Sequence, residues 1–191
     1  MLGDTAKAHL HDHLRWARDA LVWKLDGLSD HDIRRPMTPT GTNLLGLVKH
    51  VAIWDSRYLG DVFDRPFPHD LPAWDDTAAA GTDHWATDDE SRSDILDLFQ
   101  RVCAHTDATV DALDLHDIGH VPWWNEAVPL FNVMLHCLTE TTRHVGHADI
   151  LRETIDGAVG TERGAPPEHG RDAEFWDQRW RTIDDIARRS S

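Results

Sequence analysis

The 191-residue chain contains only two cysteines, Cys103 and Cys137. Two thiols cannot build a disulfide framework, and a chain of this length buries enough surface to need none. Both fall on apolar faces of a helical pattern, which reads as buried, reduced thiols rather than a bridge. Positive charge is also scarce. Against 34 Asp and Glu there are 19 Lys and Arg, a formal net charge of −15. That field repels phosphate backbones and anionic lipid, so nucleic acid and membrane surfaces drop out as partners. Long hydrophobic runs are missing too. None reaches the ~18 apolar residues of a membrane span, and the opening "MLGDTAKAHLHDHLRW" has no apolar core of a signal peptide. The expectation is a soluble, cytoplasmic protein.

What the chain does have is 40% hydrophobic residues, nine Trp and 14 His, enough for one domain with a real core. Apolar residues recur at spacings of three and four in every long segment. Leu10, Leu14, Ala17, Leu21, Leu25 and Leu28 make one stripe, so a first helix is expected from about Thr5 to Leu28. The stretch "SDHDIRRPMTPTGTN" reads as a loop, broken by two prolines and a glycine. Thr42 or Asn43 can cap a second helix that runs to about Phe63. Residues 65–89, rich in proline and acids, form a long crossover. Ser91 and Asp94 resemble a capping box ahead of a third helix reaching Leu113. A connector, "DLHDIGHVPWWNEAVP", leads to Pro129 in the first turn of a fourth helix ending near Ile155 at "DG". A short last helix spans about Ala173 to Arg188, and no segment reads as a strand. The fold class is therefore all-α: a four-helix bundle over residues 1–158 with long crossover connections, followed by a loop and a short C-terminal helix, residues 159–191, packed on the bundle.

The fourth helix places polar groups where apolar ones belong. In "ETTRHVGHADILRE", Glu140 and His144 are four residues apart and His144 and His147 three apart. Both steps come close to one helical turn, so all three fall in a narrow stripe along the axis. Val133, Cys137, Ala148 and Leu151 share or border this stripe, so the three polar groups face the core. On the second helix His50 lies between the core positions Leu47 and Trp54 and also points inward. Two imidazoles and a carboxylate leave a coordination position open and suit zinc best, with nickel, iron and manganese compatible. The bland readings compete. A lone inward His is more often a hydrogen-bonded core residue, and Glu140 could pair with Arg143 or Arg152. His136 precedes Glu140 by four residues and forms a rival ladder towards the edge of the stripe. His9, His11 and His13 alternate in a way that points them apart on a helix, mainly to the surface.

The stretches "LVKHVAIWDSRYLGDVF" and "ETTRHVGHADILRETIDG" together resemble the DinB-like metal-dependent four-helix-bundle superfamily, in particular its actinobacterial branch around mycothiol-dependent maleylpyruvate isomerase. The resemblance covers roughly residues 5–156. It implies one divalent ion, zinc or nickel, on His50, Glu140 and His144. For His147 it leaves a role in orienting a ligand or facing substrate. It also implies a thiol cosubstrate such as mycothiol, with the sulfur held as thiolate to attack an electrophile. Trp123 and Trp124 are then candidate pocket walls, and Arg143 or Arg152 candidate anchors for an anionic substrate group. The isomerase carries a further C-terminal domain with a functional arginine that has no counterpart in the tail here. The expected function is a metal-dependent thiol S-transferase acting on electrophilic small molecules. A hydrolase on the same site and a non-enzymatic metal-binding stress protein are the alternatives. Relatives imply a homodimer.

Overall fold

In this computed structural model, residues 2–69, 71, 81–124, 126–164 and 170–190 are described. Four long helices carry the architecture: α1 (Leu2–Trp23), α3 (Leu44–Tyr58), α4 (Arg92–Ala112) and α5 (Leu130–Asp156). α3 packs on α4 and α5, and α1 packs on α5 and, more lightly, on α4. The apolar stripes do what their spacing demands. Leu14, Leu21, Leu45, Val48, Val102 and Val133 are completely buried, each contributing roughly 1.5–3 kcal/mol of transfer free energy.

Local chemistry sets the helix ends. The Asn43 side chain accepts from the Gly46 N–H at 2.8 Å and starts α3. Ser91 and Asp94 form a full capping box for α4, satisfying donors the first turn would otherwise leave orphaned. Gly157 closes α5 in the left-handed conformation, φ 78°. Two helix ends and one loop differ from the sequence reading. α1 ends at Trp23 rather than Leu28, because the chain turns there into Gly27 at φ 74°. α3 ends at Tyr58 rather than Phe63; Leu59 and Gly60 lead into a 3-10 turn, Asp61–Phe63. The supposed loop after α1 holds a short helix, α2 (Asp30–Arg34), capped by Ser29.

The bundle class stands with one addition. Residues 118–129, read as plain connector, contain a hairpin, β1 (Ile118–Val121) with β2 (Glu126–Pro129), antiparallel with Gly119 opposite Val128. Four-residue strands are too short to show a period of two against a helical background. Pro129 therefore ends a strand and caps α5 instead of sitting in its first turn. The hairpin matters because its turn carries Trp123 and Trp124. The final helix, α6 (Ala173–Arg188), forms where expected but buries none of its residues. The face expected to rest on the bundle presents Trp180, Ile183 and Ile186, each more than half exposed. No described helix is long and apolar enough to cross a membrane.

Candidate functional site

His50 on α3 and His144 on α5 meet in the bundle. Their ring centroids are 4.7 Å apart and their planes cross at 71°. Both ring nitrogens of His144 are buried and lack a hydrogen-bond partner among the described residues. A buried polar atom left unpaired costs about 1–3 kcal/mol, so two in one ring call for an occupant. Burial pulls the His144 pKa down to about 4, and His50, His147, His84 and Arg143 push the same way. The ring is therefore neutral at physiological pH, with a lone pair free to bind a cation. One turn earlier, the Glu140 carboxylate stands 3.7 Å from His144 Nε2. It is too far for a hydrogen bond and half-exposed, so it sits at the mouth.

Two groups absent from the sequence reading complete the surroundings of His50. The crossover returns through a 3-10 turn, Thr82–His84, which packs against α3. Asp83 Oδ2 accepts from His50 Nδ1 at 2.5 Å and from the Trp54 indole N–H at 2.9 Å. Burial would raise the Asp83 pKa, but these two donors, together with the nearby imidazoles, hold it well below the usual carboxylate range. An ionised carboxylate on Nδ1 fixes the tautomer and aims Nε2 outward. Gly46 makes the approach feasible, since a Cβ there would run into the His84 carbonyl.

His50, Asp83 and His84 also bring ligand atoms within 4.8 Å of one another. Ring geometry argues against that trio as the metal set. The His50 and His84 rings stack at 17°, and in-plane lone pairs on nearly parallel rings do not converge on one point. The crossed planes of His50 and His144 can converge. Asp83 Oδ2 is already engaged by two donors. The two crossing imidazoles, with the Glu140 carboxylate beside them, are a second set of donors of the type that binds divalent ions.

A cavity of about 260 Å³ opens next to these groups, between α3 and α5. Trp54, Tyr58, Trp123 and His136 form its walls, and Asp55, Cys137 and Thr141 close its floor. Trp123 stands edge-on to Trp54 and Tyr58, at 5.8 and 5.7 Å. Asp55 is held by Arg18 of α1, whose guanidinium also reaches Asp107 and Thr106 on α4. Burial pushes the Cys137 thiol well above its usual range, and Asp55 beside it adds to the effect. Cys103 is pushed up to about 12 by burial, although Arg18 pulls the other way. Burial thus keeps both thiols protonated at neutral pH.

The other expected residues separate. Trp123 lines the cavity, while Trp124 stands behind it against Tyr58 and His136. His147 is exposed and does not line the cavity, although its ring lies 5.4 Å from His144. Arg143 lies outside on the rim, 68% exposed and 3.9 Å from Glu140. Arg152 is buried far from the cavity, donating to the carbonyls of Lys24 and Asp26 and pairing with Asp156. It joins α5 to the end of α1. His136 lies on the cavity wall away from the two crossing rings. His9 and His13 are exposed, but His11 is buried on Asp107, at 2.9 Å.

The family match places this bundle in the DinB-like superfamily. Within it, residues 9–157 match the Mycothiol-S-transferase family, and the chain belongs to that family. The match ends at the Gly157 cap of α5, so α6 lies outside it. No curated protein matches the chain.

Proposed function

We propose that the protein transfers a low-molecular-weight thiol, mycothiol or a close analogue, to electrophilic small molecules, using one divalent ion, zinc or nickel, held by His50, Glu140 and His144. The observation that carries this reading is the pair of crossed imidazoles over a cavity, with both His144 nitrogens buried and unbonded. Family membership supports the thiol. The Cys137 thiol on the cavity floor, kept protonated by burial and by Asp55, is a poor nucleophile, which suits a site that takes its sulfur from a cosubstrate.

An ion bound there would supply positive charge that favours thiolate over thiol at neutral pH. The chain's residues do the rest. Asp83 orients His50. The fold keeps His144 neutral. Trp54, Tyr58 and Trp123 exclude water and hold the electrophile in the cavity. The thiol proton leaves through the half-exposed mouth at Glu140.

The test is conjugation of monobromobimane with mycothiol by purified protein loaded with Zn²⁺ or Ni²⁺. Turnover should require both thiol and ion and should vanish in His144→Ala. A rate unchanged by chelation would overturn the metal assignment, and no conjugation with any thiol would overturn the transferase reading.

A further inference from the structure

Two ladders of side chains face each other across the cavity. His50, Trp54 and Tyr58 stand at four-residue steps on α3, and His136, Glu140 and His144 at four-residue steps on α5. The ladders run in opposite directions. His50 meets His144 at one end, with ring centroids 4.7 Å apart, and Tyr58 meets His136 at the other, at 4.5 Å. Eight helical residues span about 12 Å, so the two ends lie two turns apart. Trp54 and Trp123 wall the space between them.

The ends differ in charge. The donors for an ion lie at the His144 end, and Arg143 stands on the rim beside Glu140. An anionic part of either reactant would be held there. The other end offers His136. Its ring touches Tyr58 and, edge-on, Trp124 at 5.0 Å, and no described residue hydrogen-bonds to it. Burial lowers its pKa against the opposite pull of Glu140 and Asp55. The imidazole is therefore neutral at physiological pH, with one N–H donor and one acceptor. Its neighbours are already bonded: the Trp54 indole to Asp83, the Tyr58 hydroxyl to Trp123, and Asp55 to Arg18. A guest that covers His136 strips water from the ring nitrogens. Without a hydrogen-bonding group of its own it leaves them unpaired and binds less well.

We propose that His136 is a specificity residue that hydrogen-bonds the end of the electrophile remote from the carbon under attack, so that favoured substrates are elongated molecules with a carbonyl, hydroxyl or amide at that end. This rests on reading the cavity as the site of thiol transfer. With a halide as leaving group, the thiolate sulfur donates an electron pair to the carbon at the His144 end. A C–S bond forms, the carbon–halogen bond breaks and the halide departs with the bonding pair. The thiol proton has already passed to solvent.

Calorimetric titration of the zinc-loaded full chain compares 4-methylacetophenone with 4-isopropyltoluene, unreactive molecules of similar shape that differ in one carbonyl. The ketone should bind about tenfold more tightly. His136→Phe, which keeps a ring against Tyr58 and Trp124, should erase this preference while zinc content stays at the wild-type value. His136→Gln, which restores a donor, should regain part of it. Equal binding of the two by the wild type, binding of neither, or a preference that survives in His136→Phe would each overturn the proposal, the last by placing the carbonyl on the ion or on Arg143. A second arm follows mycothiol conjugation of 4-acetylbenzyl bromide and 4-isopropylbenzyl bromide, each relative to its uncatalysed rate. His136→Phe should raise KM for the ketone more than it lowers kcat. Selective binding without any conjugation would sink the transferase reading and leave the His136 contact standing. Conjugation that ignores the carbonyl would do the reverse.

Discussion

His50 and His144 come from helices nearly a hundred residues apart in sequence, yet their rings cross at 71° with centroids 4.7 Å apart. Crossed planes let two in-plane lone pairs address one point. His144→Ala should therefore remove most bound metal, and the His50→Ala/His144→Ala pair all of it, while His136→Ala retains it. Co²⁺ substitution reads this out, since ligand-field bands in the visible report the donor set. Wild-type bands in the double variant would refute the site.

Asp83 should act on metal affinity without touching metal. Removing a carboxylate behind a ligating histidine typically costs about 10–100-fold in affinity, so Asp83→Ala should fall in that range and Asp83→Asn between it and wild type. Gly46→Ala should mimic the loss, because its methyl group pushes the His84 backbone, and Asp83 with it, off α3. Competition with a chromogenic chelator measures both. An unchanged constant in Asp83→Ala would show that its bond to His50 is incidental.

The metal-free protein should lose stability in acid partly through His144. The folded-state pKa is about 4, against an ordinary value of 6.5. As pH falls below about 6.5 the unfolded chain takes up a proton that the folded chain refuses, so stability drops across that window and levels off below about 4. His144→Asn should flatten this part of the profile. Melting midpoints of the two metal-free proteins across the interval test it, and parallel curves would contradict it.

Arg152→Ala should destabilise and leave chemistry alone. Its guanidinium closes two carbonyls at the end of α1 and pairs with Asp156. Buried acceptors left unpaired cost about 1–3 kcal/mol. The expected result is a lower urea midpoint with unchanged kcat/KM. A selective rise in KM would restore the substrate role that sequence reasoning offered it.

His147→Ala should keep wild-type metal content, since the ring is exposed and does not line the cavity. Loss of metal there would move the site a turn along α5.

Much of this was legible in periodicity. The inward stripes of α3 and α5 pointed to His50, Glu140 and His144 as neighbours, and all three border one cavity. The Ser91–Asp94 capping box and the Asn43 cap were readable because caps are local. Asp83 and His84 were not, because they arrive from an aperiodic crossover and nothing local says where it docks. The one clue was Gly46 inside an apolar helical run, which marks a close backbone approach without naming the visitor. His147 misled for a different reason. A step of three residues falls short of a full turn. On a helical wheel that still shares a stripe, but at the edge of a packed face it is enough to put a side chain in water.

The Arg18 cluster bears on how the bundle chooses its alignment. Leucine stripes tolerate a slip of one helical turn, because apolar contacts look alike a turn apart. A guanidinium buried against Asp55, Asp107 and Thr106 does not. Sliding α1 by one turn, about 5.4 Å, would strand a buried cation and a buried carboxylate, a loss of several kcal/mol. The cluster thus works as a vernier between α1, α3 and α4. Asp55 lies five residues beyond His50 on the same helix, so fixing the one fixes the height of the other.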